Sequence, residues 1–155
     1  MPAFTVTPLP ASLVDQARCA ALADGTAVEV ASNDDAPFPV RCCLHDATAE
    51  EGVLLLSMQP QSDDSPYAAP GPVYIHRDRC AGYHPSRRTV PQILRGRTLS
   101  LRGYTDEHMI TGTAVVAGDD VEGAAHELLD VPGTAYLFVH FAGPGCYACR
   151  IDPAA

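Results

Sequence analysis

The chain has no lysine; its ten basic residues are all arginines, a codon-level bias that carries no functional weight. Positive charge of any kind is scarce. Nineteen acids leave a net charge of −9, which argues against a general binder of nucleic acid or anionic membrane, because phosphate surfaces select for positive potential. Long apolar runs are lacking too: nothing approaches the roughly 18 residues needed to cross a bilayer. The opening segment MPAFTVTPLP has neither the basic residues nor the apolar stretch of a secretory signal. These absences lead to the expectation of a soluble, cytoplasmic protein. No H-E-x-x-H pair, phosphate loop or dinucleotide fingerprint occurs, and no internal repeat or linker divides the chain.

What is present fits one domain, residues 1–155, long enough to bury roughly two-thirds of the surface its unfolded form would expose. Fourteen prolines and twelve glycines punctuate it into short elements. Ser12 and Asp15 suggest a helix start and Gly25 its end, with Leu13, Ala17, Ala20 and Ala21 between them. Residues 27–31 alternate as a strand, Thr48 and Glu51 suggest one capped helical turn, and VLLLSM at 53–58 reads as a strand. A proline-rich loop, QPQSDDSPYAAPGP, precedes the brief strand VYIH. Residues 89–96 read as a helical turn. TLSLRGYT and MITGTAVVA pair as strands, Leu99 and Leu101 facing one way and Arg102 and Tyr104 the other. Asp119 or Asp120 caps a second helix whose apolar face is Val121, Ala124, Ala125, Leu128 and Leu129. AYLFVHFA and CYACRI close the chain as a hairpin. The expected class is α+β: a mainly antiparallel sheet with two main helices in a single domain.

Six cysteines without an export signal read as reduced thiols, buried as small hydrophobes or binding something. Cys146 and Cys149 form a C-x-x-C, and with His76 and Cys80 they complete a Cys3His set. In an extended strand, however, side chains three apart point to opposite faces, so those two sulfurs diverge. Cysteine nucleophiles can be sought at Cys80, four residues beyond His76, and at Cys146, after a glycine-rich turn. Neither has a base placed against it by the sequence, and a strand-paired Cys146 projects away from His140. No catalytic residue is therefore assigned. His126, with Glu122 and Asp130 four residues on either side, reads as a solvated histidine.

Charge is concentrated in one place. Between Arg77 and Arg102 lie seven arginines and one acid, a local +6, which leaves three arginines and eighteen acids, or −15, for the rest. Guanidinium forks match carboxylate and phosphate, so this segment points to a small anion. Arg102 is its sharpest member, beside Tyr104 on one strand face; Arg87, Arg88, Arg95 and Arg97 read equally well as solvated charges.

The stretches PFPVRCCL, SPYAAPGPVYIH followed by Cys80, LRGYT and GCYACRID, in order from about residue 37 to 152, together resemble a bacterial family known as domain of unknown function number twelve hundred and three. The resemblance implies a shared fold and no established activity. It marks Tyr67, His76, Cys80, Arg102, Tyr104 and Cys146 as motif members. In the family pattern the first motif carries two cysteines; Val40 stands where the earlier would be and Cys43 matches the later, which weakens a metal site needing both.

The leading expectation is a pocket for a small anionic metabolite lined by Arg102, Tyr104, His76, Tyr67 and Arg77, with no cofactor and His76 as a proton carrier. The alternative is a zinc-stabilised interaction module without catalytic activity, with Cys43, His76, Cys80, Cys146 and Cys149 as the ligand pool. A small anion is the expected partner, nucleic acid and membrane are not, and a homodimer is a compatible assembly.

Overall fold

A computed structural model describes residues 3–84 and 90–155. Eight strands and two helices run in the order β1 (Phe4–Thr7), α1 (Ala11–Asp24), β2 (Val28–Ala31), β3 (Gly52–Met58), β4 (Gly71–His76), β5 (Thr98–Tyr104), β6 (Ile110–Ala117), α2 (Val121–Leu129), β7 (Tyr136–Phe141) and β8 (Tyr147–Pro153). A single 3-10 turn, Gln92–Leu94, precedes β5, and another, Gly118–Asp120, leads into α2. The strands form a five-stranded sheet, β1-β8-β7-β5-β6, and a three-stranded sheet, β2-β3-β4, with antiparallel neighbours throughout. The class is α+β, mostly sheet.

Alternation along the strands of the larger sheet separates two cores. Leu99, Leu101, Leu137, Val139, Cys149 and Ile151 face α2, where Val121, Ala125 and Leu128 supply its apolar stripe. Tyr104, Tyr136, Phe138 and Tyr147 belong to the other core, with the smaller sheet and with Val14 and Ala21 of α1. Because both faces of β7 are covered, its run YLFVHF is apolar almost throughout. Gly118 makes the junction between α2 and the turn before β5: a Cβ there would lie 1.8 Å from the Leu94 carbonyl oxygen, so no other residue fits.

Four local readings need correction. The N-terminal segment, read above only for targeting, forms β1 and pairs with β8 as an edge strand. That strand brings Phe4 edge-on to His126, ring centroids 5.1 Å apart, so His126 is buried rather than solvated, and its Nδ1 has no hydrogen-bond partner among the described residues. Helix α1 begins after Pro10 and not on a Ser12 cap, although Gly25 ends it in the left-handed conformation, φ 77°. Thr48 and Glu51 close a simple turn, Glu51 N–H donating to Thr48 O, which leaves the Glu51 side chain for another task.

Candidate functional site

Residues 40–44 reverse the chain tightly. The Leu44 amide donates to the Val40 carbonyl, and Leu44 takes positive φ, 57°, with its side chain fully buried. Extended neighbours would send Cys42 and Cys43 to opposite sides; a turn lets consecutive side chains share one. The turn is docked on β4, where Arg41 N–H donates to Tyr74 O. This sets both sulfurs against His76 at the end of β4, with Sγ to Nδ1 distances of 3.8 Å from Cys42 and 4.0 Å from Cys43. Cys80 returns from the following loop, and the four donor atoms of Cys42, Cys43, His76 and Cys80 lie within 4.8 Å of one another.

Such a cluster could hold a metal ion. Metal–sulfur bonds of ~2.3 Å and metal–nitrogen bonds of ~2.0 Å in a tetrahedron require donors roughly 3.5–3.8 Å apart, so the observed spacing needs only a small contraction. The surroundings have the form that ligands require. His76 turns Nδ1 to the sulfurs and sets Nε2 2.6 Å from Glu51 Oε2, so a carboxylate fixes the ring from behind. The Gly82 amide donates to Cys80 Sγ at 3.4 Å, and Arg18 Nε donates to the His76 carbonyl at 3.0 Å, tying α1 to the site. The cluster already organises charge. A hydrogen bond from Cys43, then one from His76, hold the Cys42 thiol well below its usual range, while the same pairing raises Cys43. Contact with Cys42, then Glu51, pushes His76 up to about 10 against the effect of burial.

Three of the cysteine and histidine ligands expected from sequence, Cys43, His76 and Cys80, are thus together, and Cys42 joins them. Cys146 and Cys149 are elsewhere. Cys149 is fully buried in the α2-side core, and burial raises its thiol to about 12. Cys146 accepts from Arg41 Nη2 at 3.0 Å. Arg41, a residue the sequence reading passed over, is fully buried; Nε donates to Tyr147 O at 2.8 Å and Nη1 to Pro39 O, so one guanidinium bolts the cysteine turn to the final hairpin.

Arg102 lies in a different place. A cavity of about 280 Å³ opens between the proline-rich loop and the larger sheet, and Arg102, Tyr104, Tyr67, Gln61, Phe138 and His140 are among its lining residues. Register explains the set: Arg102 lies opposite Phe138, Tyr104 opposite Tyr136 and Ser100 opposite His140, all on one sheet face. An irregularity between β7 and β8 at Val139/His140 brings Cys146 to the same cavity as His140, contrary to the expectation that they diverge. His140 Nδ1 donates to the Gly145 carbonyl at 3.1 Å; burial, reinforced by Arg102, lowers the ring to about 4. Tyr104 is raised by burial, which the adjacent Arg102 opposes.

His76 and Arg77 do not line this cavity. His76 is committed to the cysteine cluster, and Arg77 is half-exposed with Glu29 at 2.7 Å and Asp78 at 3.5 Å. Arg97 pairs with Asp46 at 2.9 Å, and Arg87 and Arg88 lie outside the described residues. Arg102 has no ion-pair partner among the described residues, whereas Arg18, Arg77, Arg97 and Arg150 each have one.

Fold and site together define an α+β protein, mainly antiparallel, with a cysteine–histidine cluster able to take a metal ion. Residues 37–152 match the model of a family described as "Protein of unknown function (DUF1203)", and the chain belongs to that family, as its motifs led one to expect. No curated protein and no solved structure matches it. Among the described residues, no helix is long and apolar enough to cross a membrane.

Proposed function

We propose that this protein binds a small anionic metabolite in the Arg102 cavity, on a scaffold clamped by one zinc ion. The observation that carries binding is Arg102 itself: a guanidinium on a sheet face, lining a concave space that no carboxylate among the described residues lines, in a chain rich in carboxylates. Arg18, Arg77, Arg97 and Arg150, by contrast, are each met by one of the protein's own acids. Tyr67 and Tyr104 offer hydroxyls and ring faces around the same space, and Pro70 and Pro72 stiffen the loop so that little ordering entropy is lost on binding. The test is a thermal-shift screen against carboxylates, sugar phosphates and nucleotides. A hit that disappears in Arg102→Ala supports the reading; no hit, or a hit the variant retains, removes Arg102 as the anchor.

Zinc is supported by the donor set of the second cluster. Three sulfurs and one imidazole suit a soft-to-borderline ion in a tetrahedron, and four protein ligands leave no open position for a substrate, which is the form of a structural site. The ion would join the turn at 42–43, the end of β4 and the loop at Cys80, of which the turn and β4 are also tied by the Arg41 N–H donating to Tyr74 O. Elemental analysis of untagged protein should find about one zinc per chain, a stoichiometry lost in Cys42→Ser/Cys80→Ser.

A further inference from the structure

The anion reading of the Arg102 cavity leaves the rest of the ligand open, and the walls constrain it. Charge comes first. Among the described residues Arg102 is the one arginine lining the space, with no carboxylate there to oppose it, and His140 stays neutral near pH 7 because its ring is lowered to about 4. The fork's geometry suits carboxylate and phosphate alike, but one guanidinium balances the single charge of a carboxylate and not the roughly −2 of a phosphate group. Shape comes second. Tyr67 meets Tyr104 edge to face at 5.7 Å, Tyr104 meets Phe138 at 5.5 Å, and Phe138 meets Tyr147 at 4.9 Å, all four lining the cavity. Aromatic rings joined in this way pack a further flat ring by the same edge and offset-face contacts, at centroid distances of ~4.5–7 Å. Size comes third: a cavity of about 280 Å³ lies at the small end of the ~300–1,000 Å³ of ligand pockets and suits one substituted ring.

We infer that the ligand is an aromatic monocarboxylate of a single ring, its carboxylate on Arg102 and its ring among Tyr67, Tyr104 and Phe138. The inference rests on the anion reading above and narrows it. Tyr67 is the entry residue: it is 42% exposed, belongs to the proline-rich loop and touches the deeper Tyr104.

The experiment titrates the full-length, zinc-replete protein by calorimetry with three probes: benzoate, cyclohexanecarboxylate and inorganic phosphate. Benzoate should bind, cyclohexanecarboxylate at least tenfold more weakly and phosphate not at all. Arg102→Ala should weaken benzoate at least tenfold and Tyr67→Ala several-fold, both variants keeping the ligand-free melting temperature of the wild type within a few degrees. If Arg102→Ala fails to fold, Arg102→Gln takes its place. Saturated carboxylate or phosphate binding as tightly as benzoate, in an Arg102-dependent way, would overturn the aromatic class and leave the anion site standing. No binding by any probe would overturn the class; only silence from the wider anion screen as well would end the anion site.

Discussion

If the cysteine cluster holds zinc as proposed, stripping the ion should lower the melting temperature of the protein without unfolding it at room temperature. The ladder of the larger sheet and the α2-side core, with Leu99, Leu101, Leu137 and Val139 fully buried, contain none of the four cluster residues. Removal of the ion therefore subtracts a linkage term from a chain that is already folded. At free zinc one hundredfold above the dissociation constant, that term is about 2.7 kcal/mol. For a chain of this length, 1 kcal/mol moves the midpoint by about 2–4 °C, so the loss should be about 5–11 °C. Differential scanning calorimetry before and after chelation, with zinc added back, measures it. Hydrogen exchange should place the loosened amides at residues 40–47 and 76–82, and a Co(II)-substituted sample should show the charge-transfer absorption of thiolate ligation, lost in Cys80→Ser. An unchanged midpoint together with no metal in the purified protein would refute the reasoning, because four donors this close would then be held by packing alone.

Arg41→Met should destabilise the protein by about 3 kcal/mol in urea unfolding, since it leaves the buried Tyr147 carbonyl and the part-buried Pro39 carbonyl without this donor. Gly123→Ala should raise stability by about 0.5–1 kcal/mol, because the position is interior to α2 and a Cβ there meets nothing. Gly118→Ala should instead prevent folding or cost more than about 3 kcal/mol, its Cβ colliding with the Leu94 backbone. For His140, whose ring is lowered from its ordinary value of 6.5 to about 4, the unfolded chain binds the proton more readily than the folded one. The associated stability is complete above pH 6.5 and is lost as pH falls towards 4, by at most about 3 kcal/mol. His140→Phe should flatten the wild-type decline in that window; an identical pH profile would contradict the burial of a neutral ring.

Several elements could be read directly because their patterns are local. The alternation of Leu99, Leu101, Arg102 and Tyr104, the apolar stripe of α2 and the glycine stop at Gly25 each follow from the period of the chain and the conformational freedom of a single residue. Arg102 with Tyr104 and Tyr67 was legible in the same way, two of them from one strand face and the third from a proline-braced loop. Strand β1 was not, since four residues between prolines carry too little period to announce a strand, and its pairing with β8 spans the whole length of the chain. The burial of His126 followed from that same pairing.

The cysteine cluster shows where local reading ends. From sequence, the spacing of Cys146 and Cys149 drew attention, while the adjacent pair Cys42–Cys43 had no familiar ligand spacing. Only the tight turn at 40–44 and its docking on β4 bring both sulfurs to His76, across more than thirty residues. His76 itself belonged by pattern to the arginine-rich stretch, and the tertiary structure assigned it to sulfur and to Glu51. The sequence by itself determined the class of fold, the faces of its strands and helices and the residue types available for chemistry, because those depend on neighbours along the chain. Which of those residues meet was decided by chain reversal and sheet register, which no short-range period encodes.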